Sequence, residues 1–253
     1  MIKAAGYTDK GCIRERNEDC ILVDRTRQLF IVADGMGGER GGQRASQLAV
    51  STVQEYFSST RSFADSDWPF GYLHDLDLVQ NRMLTAIKLA NRDIRSAAKS
   101  GEFAGMGSTL TVVYVVGSIA VIGSVGDSRV YLYRSGILRQ ITRDDSLIGN
   151  LTETGALTEA QAAIHPQRHV LTEAAGARDD VNVEVKELEL AHGDRLLVCS
   201  DGAHGVLDDL IFATALSVME HPEETTRYLV SRAKREGGPD NISCIIIDHG
   251  EDQ

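Results

Sequence analysis

The sequence predicts an α+β protein built on antiparallel sheets, and the order of its segments is what predicts it. Strand-like runs come mostly in pairs across tight turns, at Arg25-Thr26-Arg27, Gly117-Ser118 and Ser135-Gly136. Helical periodicity comes in consecutive pairs as well, around residues 41–97 and again around 208–236. Strands and helices therefore do not alternate as βαβ units. No internal repeat and no linker divides the chain, so residues 1–253 read as one domain.

Residues 2–8 form the first strand, and Thr8-Asp9-Lys10-Gly11 turns the chain into a polar cluster, Arg14-Glu15-Arg16-Asn17-Glu18-Asp19. Strands follow at about 20–24 and 28–34. The second runs through Phe30-Ile31-Val32-Ala33 into Asp34-Gly35 and a glycine-rich turn. Ala45, Leu48, Ala49, Thr52, Val53 and Tyr56 recur at helical spacing, which predicts an amphipathic helix over about 41–58. Residues 59–75 read as a loop. Met83, Ile87, Ala90, Ile94 and Ala97 then hold one face of a second helix.

From Phe103 to Gly126 the chain carries no charge, a length that raises the question of a membrane span. Its Val, Ile and Thr content and the Gly117-Ser118 break instead predict two buried strands in a hairpin. Val130–Tyr133 and Leu138–Ile141 make another hairpin. Residues 143–180 are polar and interrupted by Gly149, Gly155, Pro166 and Gly176, as in a surface insertion. Within it Thr158 and Gln161 have capping-box spacing for a short helix. Strands resume at 181–190 and 195–200, helices at 208–219 and 222–236, with Pro222 in a first turn that tolerates it. Gly237 to Asn241 is a turn, and Ile242–Ile247 is the last strand.

Composition narrows the function. With 26 basic and 37 acidic side chains the net charge is -11, which argues against nucleic acid or an anionic membrane as partner. The same balance repels a phosphate-bearing substrate unless bound cations reverse the local sign. Cys12, Cys20, Cys199 and Cys244 contain no CxxC pair, so free thiols in a reducing compartment are expected, with neither zinc nor a disulfide framework. Met1 to Gly6 lacks the apolar region of a signal peptide, and a cytoplasmic location is expected.

The carboxylates carry the chemistry. Asp34, Asp127 and Asp201 each end a strand beside a glycine or serine, and Asp19 and Asp240 stand in turns beside strands. If those strand ends meet at one rim of a core, the clustered charges repel one another unless cations occupy the site. Oxygen-only donors select Mg²⁺ or Mn²⁺. Two such ions serve phosphoester hydrolysis, and Arg14 offers a guanidinium fork for the phosphate oxygens. Each residue taken alone has a plainer reading: an Asp-Gly turn, or an arginine paired in solvent with Glu15 or Glu18.

RxxNED (14–19), VADGMGG (32–38), GMGSTLT (105–111), VGDSR (125–129), HPQRH with LT (165–172), CSDG (199–202) and GPDNIS (238–243) stand in that order. The ordered set resembles the protein phosphatase 2C (PPM) family of metal-dependent serine/threonine phosphatases, its bacterial branch most closely, from about Gly6 to Ile247. The resemblance implies a β-sandwich of two antiparallel sheets flanked by helices, with metals in a cleft at one end. It implies that Asp34 bridges two divalent cations, Mn²⁺ or Mg²⁺, that the Gly35 carbonyl joins one of them, and that Asp201 and Asp240 complete the other. Glu18 and Asp19 would hold metal-bound waters, Arg14 would grip the phosphate, and Asp127 would belong to a third, weaker site. Residues 143–180 would be a flap beside the cleft, where His169 would lend a backbone oxygen to the third ion.

Two departures bear on that scheme. Family members have an aspartate where this chain has Gly205, so a third ion would rest more heavily on Asp127. Met36 replaces the histidine of the eukaryotic branch, which leaves a metal-bound water as the expected proton donor. His204 reads as a loop histidine with a local hydrogen bond. The function expected is hydrolysis of phosphoserine and phosphothreonine in proteins by a metal-bridging water, in a monomer that opposes a bacterial serine/threonine kinase. The alternative is a weak or inactive module that keeps the fold for binding or regulation.

Overall fold

A computed structural model describes residues 1–59, 68–99, 101–158, 161–162 and 164–250, with the backbone alone at 38 and 39. The strands are β1 (Ile2–Asp9), β2 (Asp19–Asp24), β3 (Leu29–Met36), β4 (Gly107–Ser108), β5 (Leu110–Val116), β6 (Ile119–Val125), β7 (Arg129–Arg134), β8 (Ile137–Gln140), β9 (Glu184–Glu189), β10 (Arg195–Cys199) and β11 (Ile242–His249). The helices are α1 (Gly38–Ser59), α2 (Leu78–Ala97), α3 (Leu147–Glu153), α4 (Asp201–His204), α5 (Asp209–Val218) and α6 (Pro222–Arg235).

Two antiparallel sheets stack face to face, one ordered β1-β11-β10-β7-β8 and the other β2-β3-β5-β6-β9, with β4 added to the end of β3. Side chains alternate across each strand, so every central strand feeds two cores. Phe30, Val32, Val113, Val130, Val198 and Ile245 point between the sheets. Their neighbours Ile31, Val112 and Val121 point outward to Val53 of α1 and Ile87 of α2. On the other side Leu197 and Ile246 meet Phe212 of α5 and Leu229 of α6. The result is four layers, α-β-β-α. Ile31 is wholly buried, a contribution of about 1.5–3 kcal/mol for a side chain of its size. A one-residue slip of β3 would exchange its two sets of neighbours, which is why its register is firm.

The charge-free stretch is the β5–β6 hairpin, and among the described residues no helix is long and apolar enough to cross a membrane. Three expectations need correction. β3 does not end at Asp34 but runs to Met36, because Gly35 and Met36 pair with Ser108 and Gly107 of β4. β9 begins at Glu184, so Val181 and Val183 pack before the ladder starts. Nor is the 143–180 segment wholly superficial. Asp145, Ser146, Ile148, Ala174 and Ala175 are buried, and isolated bridges Ser146–Leu171 and Ser108–Ala175 hold its two ends. The Thr158 and Gln161 side chains do bond reciprocally to each other's backbone N–H groups, at 3.3 and 2.9 Å. Residues 60–67 of the expected 59–75 loop lie outside the described residues.

Candidate functional site

The strand ends gather at one end of the sandwich. Asp34 lies inside β3, its N–H bonded to Thr109 Oγ1 at 2.9 Å and its carbonyl accepting from the Thr109 N–H and the Ser108 hydroxyl. Directly across the ladder stands Asp19. Gly35 comes next because no other residue fits: a Cβ there would lie 1.9 Å from the Gly42 carbonyl of α1. Gly37, at φ +121, makes the left-handed step that turns the chain into α1. Asp201 opens α4 immediately after β10, Asp127 follows β6, and Asp240 sits in the turn before β11.

These segments enclose a cavity of about 750 Å³ whose wall includes Arg14, Glu18, Asp34, Gly35, Asp127, Arg168, His169, Asp201 and Asp240. Asp19 stands behind that wall rather than on it. The Ser243 and Ser200 hydroxyls donate to its Oδ2 at 2.6 and 2.8 Å. Arg14 does not pair with Glu15 or Glu18; its guanidinium reaches Asp240 at 2.7 Å. His169 comes over the mouth and places Nδ1 3.6 Å from Asp201 Oδ2. Asn241 staples the entrance loop, accepting from the Glu18 N–H at 2.7 Å and donating to the Arg16 and Lys10 carbonyls.

Crowding shows in the protonation equilibria. Burial, with Asp201 and Asp240 nearby, pushes Asp19 up to about 7 against the pull of its two serine hydroxyls. Burial and the neighbouring Asp201 and Asp144 raise Asp127 to about 7. Asp34 rises well above the carboxylate range through burial and the charges of Asp19, Asp201, Asp127 and Asp240. Asp201 goes the other way: burial raises it, but the His169 hydrogen bond, His204 and the hydrogen bond with Asp34 hold it below 3.8. Without counterions, then, the cluster holds protons well into the neutral range.

That is the signature of a place made for cations. Two buried carboxylate oxygens, Asp19 Oδ1 and Asp201 Oδ1, have no hydrogen-bond partner among the described residues. An orphaned carboxylate oxygen is costly, and a divalent ion is the group that satisfies it. The donors are all oxygen, which suits Mg²⁺ or Mn²⁺. Among the described residues no three His, Cys, Asp or Glu side chains close on one point as a finished cage. Two of the carboxylates instead have basic neighbours, Asp240 paired with Arg14 and Asp201 beside His169.

Ser200, Ser243, Thr109 and Asn241 were not singled out from sequence, although each touches the cluster or its loops. Their signal was present: Ser200 and Asn241 adjoin Asp201 and Asp240 in chain order. His204 departs from the expected local bond. Its Nε2 lies 3.0 Å from the Asp127 carbonyl, 77 residues away in sequence. A carbonyl only accepts, so Nε2 carries the proton, and burial keeps the ring neutral by lowering its pKa to about 4. Gly205 lines the cavity and supplies no side-chain donor. Met36 lines it too, without an ionisable group.

Comparison with known proteins points the same way. The family model of protein phosphatase 2C matches residues 14–241. The serine/threonine protein phosphatase PstP of Mycobacterium tuberculosis is 33% identical over 98% of this chain, and this chain spans 45% of that protein. The serine/threonine phosphatase stp of Listeria innocua is 31% identical over 95% of this chain and 93% of its own length. A solved catalytic domain of PstP, in complex with two manganese ions, superposes with a TM-score of 0.82 at 31% identity over 99% of both chains.

Proposed function

The chain belongs to the protein phosphatase 2C family, and from that premise we propose that it is a metal-dependent serine/threonine protein phosphatase acting on phosphoserine and phosphothreonine. One observation carries the reading: Asp34, Asp127, Asp201 and Asp240 share a single cavity with Arg14 at its edge. Two divalent ions, Mn²⁺ or Mg²⁺, would be held by Asp34, the Gly35 carbonyl, Asp201 and Asp240, with Glu18, Asp19 and Asp127 completing the acidic surround. Bound there, such ions neutralise the carboxylates, attract phosphate oxygens and lower the pKa of water toward neutrality.

The side chains do the rest. Arg14 presents two N–H donors to the phosphate and fixes its orientation, a task that its half-exposed position at the cavity edge allows. Ser200 and Ser243 hold Asp19 in one rotamer. Thr109 is the one hydroxyl among the described wall residues, and it is engaged with the Asp34 N–H and the Ser128 hydroxyl. No cysteine or serine faces the cavity among those residues, which supports direct hydrolysis by water without a covalent enzyme intermediate. His169 and Arg168 approach from the 143–180 segment, as suits a flap over the phosphorylated residue. In the cell the enzyme would reverse the work of a serine/threonine kinase.

The test is hydrolysis of a small aryl phosphate and of phosphoserine and phosphothreonine peptides. Turnover should appear with Mn²⁺, disappear with chelator, and fall by about 10³-fold or more in Asp34→Asn and Asp201→Asn. Full activity in Asp34→Asn would overturn the assignment. Metal binding without turnover would favour the non-catalytic module.

A further inference from the structure

Beside the acidic cavity the surface changes sign. A shallower groove of about 380 Å³ is lined by Tyr7 and Asp9 of β1 and by Arg227, Ser231, Lys234 and Arg235 of α6. Three cations and one carboxylate face it, on a chain whose net charge is -11. Lys234 accounts for the carboxylate, binding Asp9 at 2.9 Å. Arg227 lies over the Tyr7 ring, 5.0 Å from its centroid, which holds the guanidinium in place without neutralising it. Neither Arg227 nor Arg235 meets a carboxylate among the described residues, and both are exposed.

The groove and the cavity share a wall. Asp9 is on the groove side; Gly11 packs against the Asp240 carbonyl; the Cys12 N–H donates to Gly238 at 2.8 Å and its thiol touches the Lys234 carbonyl. Arg14, two residues further on, is on the cavity side. A peptide whose phosphorylated residue sits at Arg14 can cross this short wall and lay its neighbours against α6.

We propose that the groove receives acidic residues flanking the phosphorylated serine or threonine of a protein substrate, an inference that rests on the phosphatase reading above. Two uncompensated guanidinium groups on a rigid helix match carboxylates geometrically as well as electrically. The chain as a whole, at net charge -11, repels an acidic segment, so a cationic groove also favours one direction of approach. The groove is thus a specificity element for the flanking sequence and takes no part in the chemistry.

The experiment compares phosphopeptides that differ only in three flanking residues, Glu or Lys, placed on either side of the phosphoresidue. Wild-type, Mn²⁺-loaded protein should favour the Glu peptide on one side by about tenfold in kcat/KM, with the preference shrinking at high salt. Arg227→Glu with Arg235→Glu should abolish or invert that preference and leave aryl phosphate turnover unchanged. Equal turnover of Glu and Lys peptides by the wild type, or an intact preference in the double variant, would overturn the groove while leaving the phosphatase reading in place. Absence of aryl phosphate and peptide turnover by the wild type would overturn both.

Discussion

Asp19 and Asp34 stand directly opposite each other in the β2–β3 ladder, two carboxylates at one cross-strand position. Like charges so placed oppose folding, and here both are largely removed from solvent. Their position is sensible only if something positive neutralises them.

That arrangement makes metal-free stability depend on pH in a definite direction. Asp19 and Asp127 have folded values near 7 against 3.8 for the free side chain, and Asp34 is raised too. Between those values the folded state binds more protons than the unfolded one, so stability falls as pH rises from about 4 to about 7. Asp201, held low, gives its contribution throughout that range and loses it only in stronger acid, below 3.8. Chelator-treated protein should therefore melt several degrees lower at pH 7.5 than at pH 5.5, about 2–4 °C for each kcal/mol. Mn²⁺ should raise the midpoint more at pH 7.5, and Asp34→Asn should flatten the pH dependence. A flat profile in the wild type would contradict the account. Scanning calorimetry at the two pH values measures it.

Arg14 and Asp240 form the cavity's edge pair at 2.7 Å. Arg14→Ala should raise KM for phosphopeptides about tenfold with a smaller change in kcat, because the guanidinium binds rather than activates. Arg14→Lys should recover only part of the loss, since a point charge lacks the two-pronged donor. Steady-state kinetics on one peptide distinguishes the outcomes.

Asp145 ties the 143–180 segment to the loop that carries Asp127. Its Oδ2 accepts from the Gly126 N–H at 3.1 Å, and its carbonyl accepts from Thr172 at 2.8 Å. Asp145→Ala leaves a buried N–H unsatisfied at a cost of about 1–3 kcal/mol. The midpoint should drop by several degrees, and proteolysis should begin within residues 147–170. Asp145→Asn keeps an acceptor and should restore most of both.

Gly35→Ala tests the packing of β3 on α1. Its Cβ would lie 1.9 Å from the Gly42 carbonyl, a contact only backbone movement relieves. The expected loss is about 3 kcal/mol or more, with Mn²⁺ affinity falling alongside stability. Thermal unfolding and a Mn²⁺ titration by calorimetry check both parts.

The layers of this protein were legible in its sequence because they follow from periodicity. The unbroken apolar run Phe30–Ala33 marks a strand buried on both faces, the heptad-like face of Met83, Ile87, Ala90 and Ile94 says which side of its helix is buried, and burial is the dominant force on folding. The candidate carboxylates were legible too, since each stands out at the edge of an apolar run. Distance was not. Only the stacking of two sheets brings Asp240 to Arg14 across 226 residues, sets Asp19 behind the cavity wall rather than on it, and turns Ser200 and Ser243 toward it. His204 reaching Asp127, and the cationic face of α6 lying next to an acidic cavity, are likewise products of packing. Local pattern decides which residues leave water; the chain's closure in three dimensions decides which charges then meet.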